Sequence, residues 1–147
     1  MTDKLVVLEC AESDLDAVGE IALESFSDYN SDDFKYMCGS TNYKFLVAKI
    51  DGNVVGFVVF LRIDEKCEII KIATKARFRG CGVGFAIMKE VENYARSNAH
   101  NGIILEVNEH NVAAIGLYKK FGFKQIHVRN KYYENKYDAL IMEYVIH

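Results

Sequence analysis

Three glycines at alternating positions, Gly80, Gly82 and Gly84, form the pattern that most clearly predicts a ligand site in this sequence. They lie between a β-branched, strand-like run and a helix predicted over 83–97. Glycine lets backbone N–H groups turn into one concavity, and a helix N-terminus adds a positive dipole end, so such a loop can hold a phosphate or pyrophosphate. The spacing matches neither the G-x-G-x-x-G of dinucleotide-binding folds nor the G-K-[S/T] of a P-loop. The alternative is a tight strand-to-helix turn that holds no ligand.

The sequence predicts a series of strands and helices on both sides of this loop. Apolar residues at helical spacing predict a helix over 15–26 that begins at a cap, Ser13 or Asp14. The Asp51-Gly52-Asn53 turn predicts a hairpin between strands over 43–50 and 54–62, whereas the polar segment 27–42 predicts a loop with a short second helix. Other strands are predicted over 5–8, 65–74, 103–107, 123–129 and 138–146, and another helix over 113–121. This order predicts one α/β (α+β) domain over 1–147, with a mixed sheet and helices on both faces.

Composition and charge exclude several classes of protein. The 147 residues, half of them hydrophobic, can bury a core without disulfides or metals. A net charge of -3 gives no basis for binding nucleic acid and weakly favours a cationic substrate. No apolar run reaches the roughly 18 residues that span a bilayer, so we expect no membrane association.

The cysteines and histidines do not have the spacing of a metal site. We therefore expect no metal, and reduced thiols in a cytoplasmic protein. These residues are Cys10, Cys38, Cys67, Cys81, His100, His110, His127 and His147.

Two motifs make the sequence resemble the GNAT superfamily of N-acetyltransferases. Arg79-x-x-Gly82-x-Gly84 is similar to the superfamily's [Q/R]-x-x-G-x-[G/A] motif, whose amides hold the pyrophosphate of coenzyme A. Segment 111–123 is similar to its N-x-x-A-x-x-L-Y-x-x-x-G-F signature. The resemblance covers nearly the whole chain and is weakest over 27–42. It implies a mostly antiparallel central sheet of about seven strands, with acetyl-CoA as co-substrate.

The resemblance implies that acetyl-CoA is bound by three segments. The strand end at 72–74 matches the place where the family pairs its backbone with the pantetheine arm, and 79–85 matches the pyrophosphate loop. Asn111, which opens the downstream signature, either touches coenzyme A or only caps the helix after it. The implied residues are Ile72, Ala73, Thr74, Arg79, Gly80, Cys81, Gly82, Val83, Gly84, Phe85 and Asn111.

A closer resemblance within the superfamily concerns the acceptor. Segment 105–107 and the tail over 129–142 are similar to those of RimI-type ribosomal-protein-alanine N-acetyltransferases. This implies that the acceptor is the α-amine at the N-terminus of a protein, such as a ribosomal protein, held in a groove that includes Arg129, Tyr132 and Tyr133. Asn108 stands where RimI proteins often carry arginine, which leaves the exact substrate open. We expect a monomer or a weak homodimer.

Acetyl transfer from a thioester to an amine needs a base for the amine, an N–H donor for the oxyanion and a proton for the leaving thiolate. The resemblance implies Glu106 as general base, Tyr118 as general acid and a backbone N–H near Ala73 as oxyanion donor. Glu106 shares a strand face with Ile104, which points its carboxylate to a side open to a ligand. A tyrosine, with a pKa of about 10, can protonate a departing thiolate.

Alternatives remain for each residue and for the whole protein. Glu68 is the competing base, since many members of the superfamily place their carboxylate on that strand. Glu106 is otherwise a solvated strand residue, and Tyr118 a packing aromatic. The chain is otherwise an acetyltransferase of a small amine or a lysine side chain, or a CoA-binding module without catalysis.

Overall fold

A computed structural model describes residues 4–133 and 136–147. The strands in these ranges are β1 (Leu5–Glu9), β2 (Tyr43–Ile50), β3 (Asn53–Ile63), β4 (Lys66–Thr74), β5 (Gly102–Asn108), β6 (Lys124–Tyr133) and β7 (Tyr137–Val145). The helices are α1 (Leu15–Ser25), α2 (Ser31–Gly39), α3 (Val83–Ser97) and α4 (Val112–Phe121). Single 3-10 turns occupy Glu12–Asp14 and Ala76–Phe78.

The predicted element order is confirmed, and most differences are shifts of one or two residues at element ends. The short helix expected in 27–42 is present and spans nine residues. It begins after Asn30, because the Asn30 side chain accepts hydrogen bonds from the N–H groups of Asp32 and Asp33 and so caps the helix. The hairpin turn is confirmed, with positive φ at Asp51 and Gly52. Strand β6 runs to Tyr133 and so extends four residues beyond its predicted end at 129.

The predicted cap of α1 differs in detail. Asp14 lies at the cap position, but its carboxylate accepts from the Ala11 N–H at 2.9 Å instead of from an N–H of α1. The same carboxylate forms an ion pair with Lys49 at 2.9 Å, which satisfies a side chain that is almost fully buried.

The strands form one seven-stranded sheet in the order β1-β2-β3-β4-β5-β7-β6. The described ladders of β1 with β2, β2 with β3, β5 with β7 and β6 with β7 are antiparallel. The β4–β5 ladder is parallel and runs from Cys67↔Ile103 to Ile69↔Leu105. The prediction of a mixed, mostly antiparallel sheet of about seven strands is therefore confirmed.

The chain divides into two compact units, and the single domain expected over 1–147 stays a prediction. The first unit comprises the described residues up to Leu61 together with Ile70–Val91. The second comprises Arg62–Ile69 and the described residues from Glu92 onward.

Helices cover both faces of the sheet in the first unit. On one face, α1 and α2 pack on β2 and β3, with the Phe34 ring 6.1 Å from Phe45 and 5.6 Å from Phe57. On the opposite face, a Cβ built on Gly56 would meet the side chains of Val83 and Ile87 of α3 at 3.0 Å. The expectation of helices on both faces is met within this unit.

The second unit has two unlike sheet faces. On β5, Ile103, Leu105 and Val107 are buried and define the inner face, whereas the half-buried Ile104, Glu106 and Asn108 define the open face. Directly opposed residues in an antiparallel ladder share a face, so Tyr144, opposite Ile103, belongs to the inner face. Its ring packs with those of Phe121, at 5.2 Å, and Phe123, at 5.7 Å; with Tyr118, 5.7 Å from Phe123, these rings form the aromatic cluster.

The core of the second unit also contains a thiol–imidazole hydrogen bond. Cys67 Sγ lies 2.7 Å from His100 Nδ1, and both side chains are buried. Burial raises the pKa of the Cys67 thiol to about 11, so the thiol stays protonated at neutral pH. Burial, assisted by the positive charge of Arg62, lowers the pKa of His100. The neutral imidazole is therefore the form that the fold stabilises.

This pair predicts an acid-dependent loss of stability. Because the folded pKa of His100 lies below its ordinary value of 6.5, the stability that the neutral imidazole contributes is complete above pH 6.5. It is lost as the pH falls from 6.5 through the lower pKa of the folded state. The difference in unfolding free energy between wild type and His100→Gln should shrink between pH 7.5 and 5.0, with a slope of at most about 1.4 kcal/mol per pH unit. Urea denaturation at the two pH values measures it. His127→Gln, at an exposed histidine, is the control, and parallel pH profiles for His100→Gln and wild type would contradict the prediction.

Candidate functional site

In the first unit, the predicted glycine loop follows β4 as a 3-10 turn that leads into α3. The Phe78 N–H donates to the Lys75 carbonyl at 2.8 Å, and the Cys81 N–H donates to the Phe78 carbonyl at 3.3 Å. Gly80 and Gly82 have φ values of +79° and +85°. Residues with a Cβ rarely adopt this left-handed conformation, so these two glycines are needed for the backbone path itself.

The start of α3 presents several N–H groups together. The first intrahelical bond runs from the Ala86 N–H to the Gly82 carbonyl at 3.0 Å. The N–H groups of Gly82, Val83 and Gly84 precede that bond and have no acceptor within the helix. These N–H groups are the candidates to face a ligand, and the predicted concavity stays a prediction, whereas the Cys81 N–H donates to the Phe78 carbonyl within the loop.

The Arg79 side chain makes two hydrogen bonds beside the glycine loop. Its Nε donates to the Thr74 carbonyl at 3.3 Å, and its Nη2 donates to the Ser25 hydroxyl at 3.4 Å. The guanidinium thus links the end of β4 to the end of α1, and its predicted contact with coenzyme A stays a prediction.

The end of β4 depends on a glycine that the sequence reasoning missed. The Lys75 N–H donates to the Val55 carbonyl at 2.8 Å, so the alternating backbone groups of Ile72 and Thr74 point away from β3. A Cβ built on Gly56 would come within 3.0 Å of the Ala73 carbonyl oxygen. Gly56 therefore permits a close backbone approach, and a glycine inside a strand pattern is the signal that could have identified it.

In the second unit, Glu106 lies on the open face of β5, as predicted. Its carboxylate Oε1 is 2.9 Å from Arg129 Nη2, and the side chains of Glu106 and Arg129 are 25% and 48% exposed. The Arg129 guanidinium also lies over the Tyr132 ring, 4.7 Å from its centre. The structure thereby brings the predicted base together with two of the predicted groove residues. Tyr133 ends β6, and its side chain lies outside the described residues.

Glu68, the competing base, shares the open face with Glu106. It is opposite Ile104 in the parallel β4–β5 ladder, and directly opposed residues share a face. Geometry therefore leaves both carboxylates facing the same side, but only Glu106 has the described ion pair with Arg129.

Tyr118 is a buried member of the aromatic cluster, with 6% of its surface exposed. The Phe123 and Gly122 N–H groups donate to its carbonyl, at 2.9 and 3.1 Å, and end α4. The packing that was the alternative for Tyr118 is thus present, and the predicted role of its hydroxyl as general acid stays a prediction. Tyr118 belongs to the inner-face cluster, whereas Glu106 projects from the open face.

Asn111 caps α4. Its side-chain oxygen accepts from the Ala114 N–H at 3.2 Å, and its carbonyl accepts from the Ile115 N–H at 3.0 Å. The capping role weighed for this residue is therefore present, and its exposed side chain leaves contact with a ligand open. Phe85 and Ile72, the remaining predicted contacts, are exposed and half-buried, respectively.

Two classes of feature are absent from the described residues. Within 4–133 and 136–147, no cluster of three or more His, Cys, Asp or Glu side chains could hold a metal ion. No described helix is long and apolar enough to cross a membrane.

Comparison with known proteins identifies the class to which these features belong. Residues 14–123 match the acetyltransferase (GNAT) family. The chain belongs to this family and is an acetyl-CoA-dependent N-acetyltransferase.

The chain is similar to relatives along nearly its whole length. An uncharacterized N-acetyltransferase of Methanocaldococcus jannaschii is 36% identical over 140 residues, which are 94% of this chain and 90% of that protein. A Bacillus subtilis protein, whose name provisionally assigns it alanine N-acetylation of ribosomal protein bS18, is 32% identical over 97% of this chain and 96% of its own length. The crystal structure of the Escherichia coli ribosomal-protein-S18-alanine N-acetyltransferase superposes with a TM-score of 0.88 at 22% identity, covering 97% of this chain and 94% of that one, which shows a shared fold.

Proposed function

We propose that this enzyme transfers an acetyl group from acetyl-CoA to the N-terminal α-amine of a protein, with Glu106 as general base and Tyr118 as general acid. One observation carries the proposal. The Glu106 carboxylate is held 2.9 Å from Arg129, in the tail segment that resembles the RimI-type enzymes. The names of the Bacillus and Escherichia proteins support a ribosomal protein as acceptor and a cytoplasmic location.

The first unit fits the acetyl-CoA pyrophosphate. The N–H groups of Gly82, Val83 and Gly84 and the positive end of the α3 dipole together favour a polyanion. The outward-facing backbone of Ile72 and Thr74 can pair with the amides of the pantetheine arm. The oxyanion donor expected near Ala73 is then the N–H of one of these two neighbours, because the N–H of Ala73 itself points toward β3.

The second unit supplies the acid–base groups. Glu106 takes a proton from the acceptor ammonium, and the neutral amine attacks the thioester carbonyl. The oxyanion of the resulting tetrahedral adduct re-forms the carbonyl, the C–S bond breaks, and its electron pair leaves on sulfur. The Tyr118 hydroxyl protonates the thiolate, and the second proton of the attacking nitrogen passes to the resulting tyrosinate, which leaves a neutral amide. An α-amine, with a pKa of about 8, loses its proton more readily than a lysine at about 10.4, so one carboxylate is sufficient.

Loss of the positive-φ glycine in the loop should weaken acetyl-CoA binding. Gly82→Ala places a Cβ at φ +85°, at a cost of about 1–2 kcal/mol, and tilts the N–H groups that face the pyrophosphate. We expect the KM for acetyl-CoA to rise roughly tenfold. Gly52→Ala is the matched control, because Gly52 has φ +79° and equally open surroundings but lies in the β2–β3 turn. Equal KM changes in both variants would show that the loop does not bind acetyl-CoA.

The acceptor is tested by incubating the enzyme and acetyl-CoA with two panels, N-terminal peptides and small amines, while free thiol release is followed. The peptides begin with alanine, serine or methionine, and matched copies have a blocked α-amine and a free lysine. We expect turnover on free N-termini and none on blocked copies. Turnover on polyamines alone would refute the proposed acceptor, and coenzyme A binding without thiol release from any panel would indicate an inactive module.

A further inference from the structure

The ion pair between Arg129 and Glu106 is held from two strands. Arg129 is opposite Ala139 on β7, and Glu106 is opposite Ile141 on the same strand. Ala139 is also opposite Asn108, so Arg129 lies on the open face with Glu106, one strand beyond β7. The two charged side chains therefore meet diagonally across β7, and both backbones are fixed by its ladders.

The Tyr132 ring restricts the guanidinium further. Arg129 stacks over this ring at 4.7 Å, with its Nη2 directed at Glu106 Oε1. A planar guanidinium that stacks on an aromatic face loses little further freedom when it forms a hydrogen bond. The contact to Glu106 is thus preorganised, although the arginine is half-exposed.

The pair has little value for stability. Exposed ion pairs typically contribute little to the free energy of unfolding, and the Arg129 side chain is 48% exposed. A glutamate side chain without a partner would exchange among several rotamers on this open face. The substantial effect of the arginine is therefore on the orientation of the carboxylate.

We propose that Arg129 is a positioning residue for the general base: it binds Glu106 Oε1 and thereby aims Oε2 at the acceptor amine. This inference rests on the proposed function, in which Glu106 accepts the proton. It reassigns Arg129, which the sequence resemblance placed in the acceptor groove. The proton moves from the ammonium nitrogen to Oε2, and Arg129 exchanges none.

A double-mutant cycle tests the role. Arg129→Gln should lower kcat roughly 10- to 50-fold, because small misplacements of catalytic groups are costly. It should leave the KM for acetyl-CoA within about twofold, and Arg129→Lys should restore only part of the loss, because it keeps the charge but not the planar guanidinium that stacks on Tyr132. In the Glu106→Gln background, Arg129→Gln should change kcat less than about twofold, since groups that act as a unit are non-additive.

Arg96 provides the matched control in the same unit. It pairs with Glu92 at 2.9 Å, and its side chain is 47% exposed, close to the value for Arg129. Arg96→Gln should leave the kcat of the folded enzyme unchanged. An unchanged kcat in Arg129→Gln overturns the proposal. So does an equal loss in the wild-type and Glu106→Gln backgrounds, because that result shows action independent of the carboxylate.

The cycle separates this inference from the proposed function. If the enzyme acetylates only small amines, the acceptor proposal fails, but the cycle is run with that amine and keeps its meaning. If the enzyme acetylates no acceptor, the side-chain carboxyl ¹³C resonance of Glu106 in the free enzyme reports its contact with Arg129 instead. Arg129→Gln should move that resonance and Arg96→Gln should not; a resonance unmoved by Arg129→Gln overturns the contact itself.

Discussion

Glu106→Gln is expected to lower kcat for acetylation of peptide N-termini about 10²- to 10³-fold, within the range of general-base catalysis. The amide has the size of the carboxylate, and its oxygen can still accept from Arg129 Nη2, which lies 2.9 Å from Glu106 Oε1. It cannot take a proton from the ammonium group. Steady-state kinetics with a free N-terminal peptide measure the loss.

The pH dependence of the defect identifies a base. Above a pH of about 8, the α-amine of the acceptor is already mostly neutral, so its attack depends less on a general base. The ratio of wild-type to Glu106→Gln rates should therefore fall between pH 7 and pH 9.5. A ratio that stays constant across this range would assign Glu106 a structural role.

Glu68→Gln is the matched comparison, since Glu68 faces the same side of the second unit and is the competing base. We expect it to reduce kcat less than about threefold, an effect far below that of losing a general base. If Glu68→Gln abolishes turnover and Glu106→Gln does not, the base is Glu68.

Tyr118→Phe is expected to slow turnover about 10- to 100-fold, as for the loss of one general acid, and to keep acetyl-CoA affinity within a few-fold. The Tyr118 ring is buried against Phe123, and phenylalanine preserves that packing, so only the hydroxyl is lost. Pre-steady-state thiol release measures the chemical step, and equilibrium titration with coenzyme A measures binding.

Tyr144→Phe separates catalysis from packing. Tyr144 belongs to the same aromatic cluster, and its hydroxyl donates to Glu92 at 2.8 Å. Its loss should cost stability, about 1 kcal/mol for a hydrogen bond, with kcat unchanged.

If Tyr118→Phe turns over at the wild-type rate, the thiolate is protonated by another group.

The local features that carry strong physical signals were predictable from the sequence. The Asp51-Gly52 turn demands positive φ, so the hairpin around it follows from residue type. The glycines at 80 and 82 similarly predict a left-handed backbone before a helix. Element ends were less predictable: α1 begins at an aspartate whose carboxylate is taken by Ala11 and Lys49, and tertiary contacts of this kind are not visible in a pattern.

The candidate site was only partly predictable for the same reason. Glu106 and Tyr118 came from motif positions, and strand alternation placed Glu106 on the open face. Their partners depend on the pairing of distant strands. Residues 106 and 129 meet because both β5 and β6 pair with β7, which is the last strand in the sequence.

The sequence by itself determined that a glycine loop with a left-handed backbone lies between a strand and a helix, because these glycines encode their backbone conformation locally. It also determined the superfamily, because two motifs occur in the right order and spacing. Only the tertiary structure decided that Arg129 contacts Glu106 and that the Tyr118 ring packs against Phe123. Ladder register and packing set those contacts, and both depend on residues far apart in the chain.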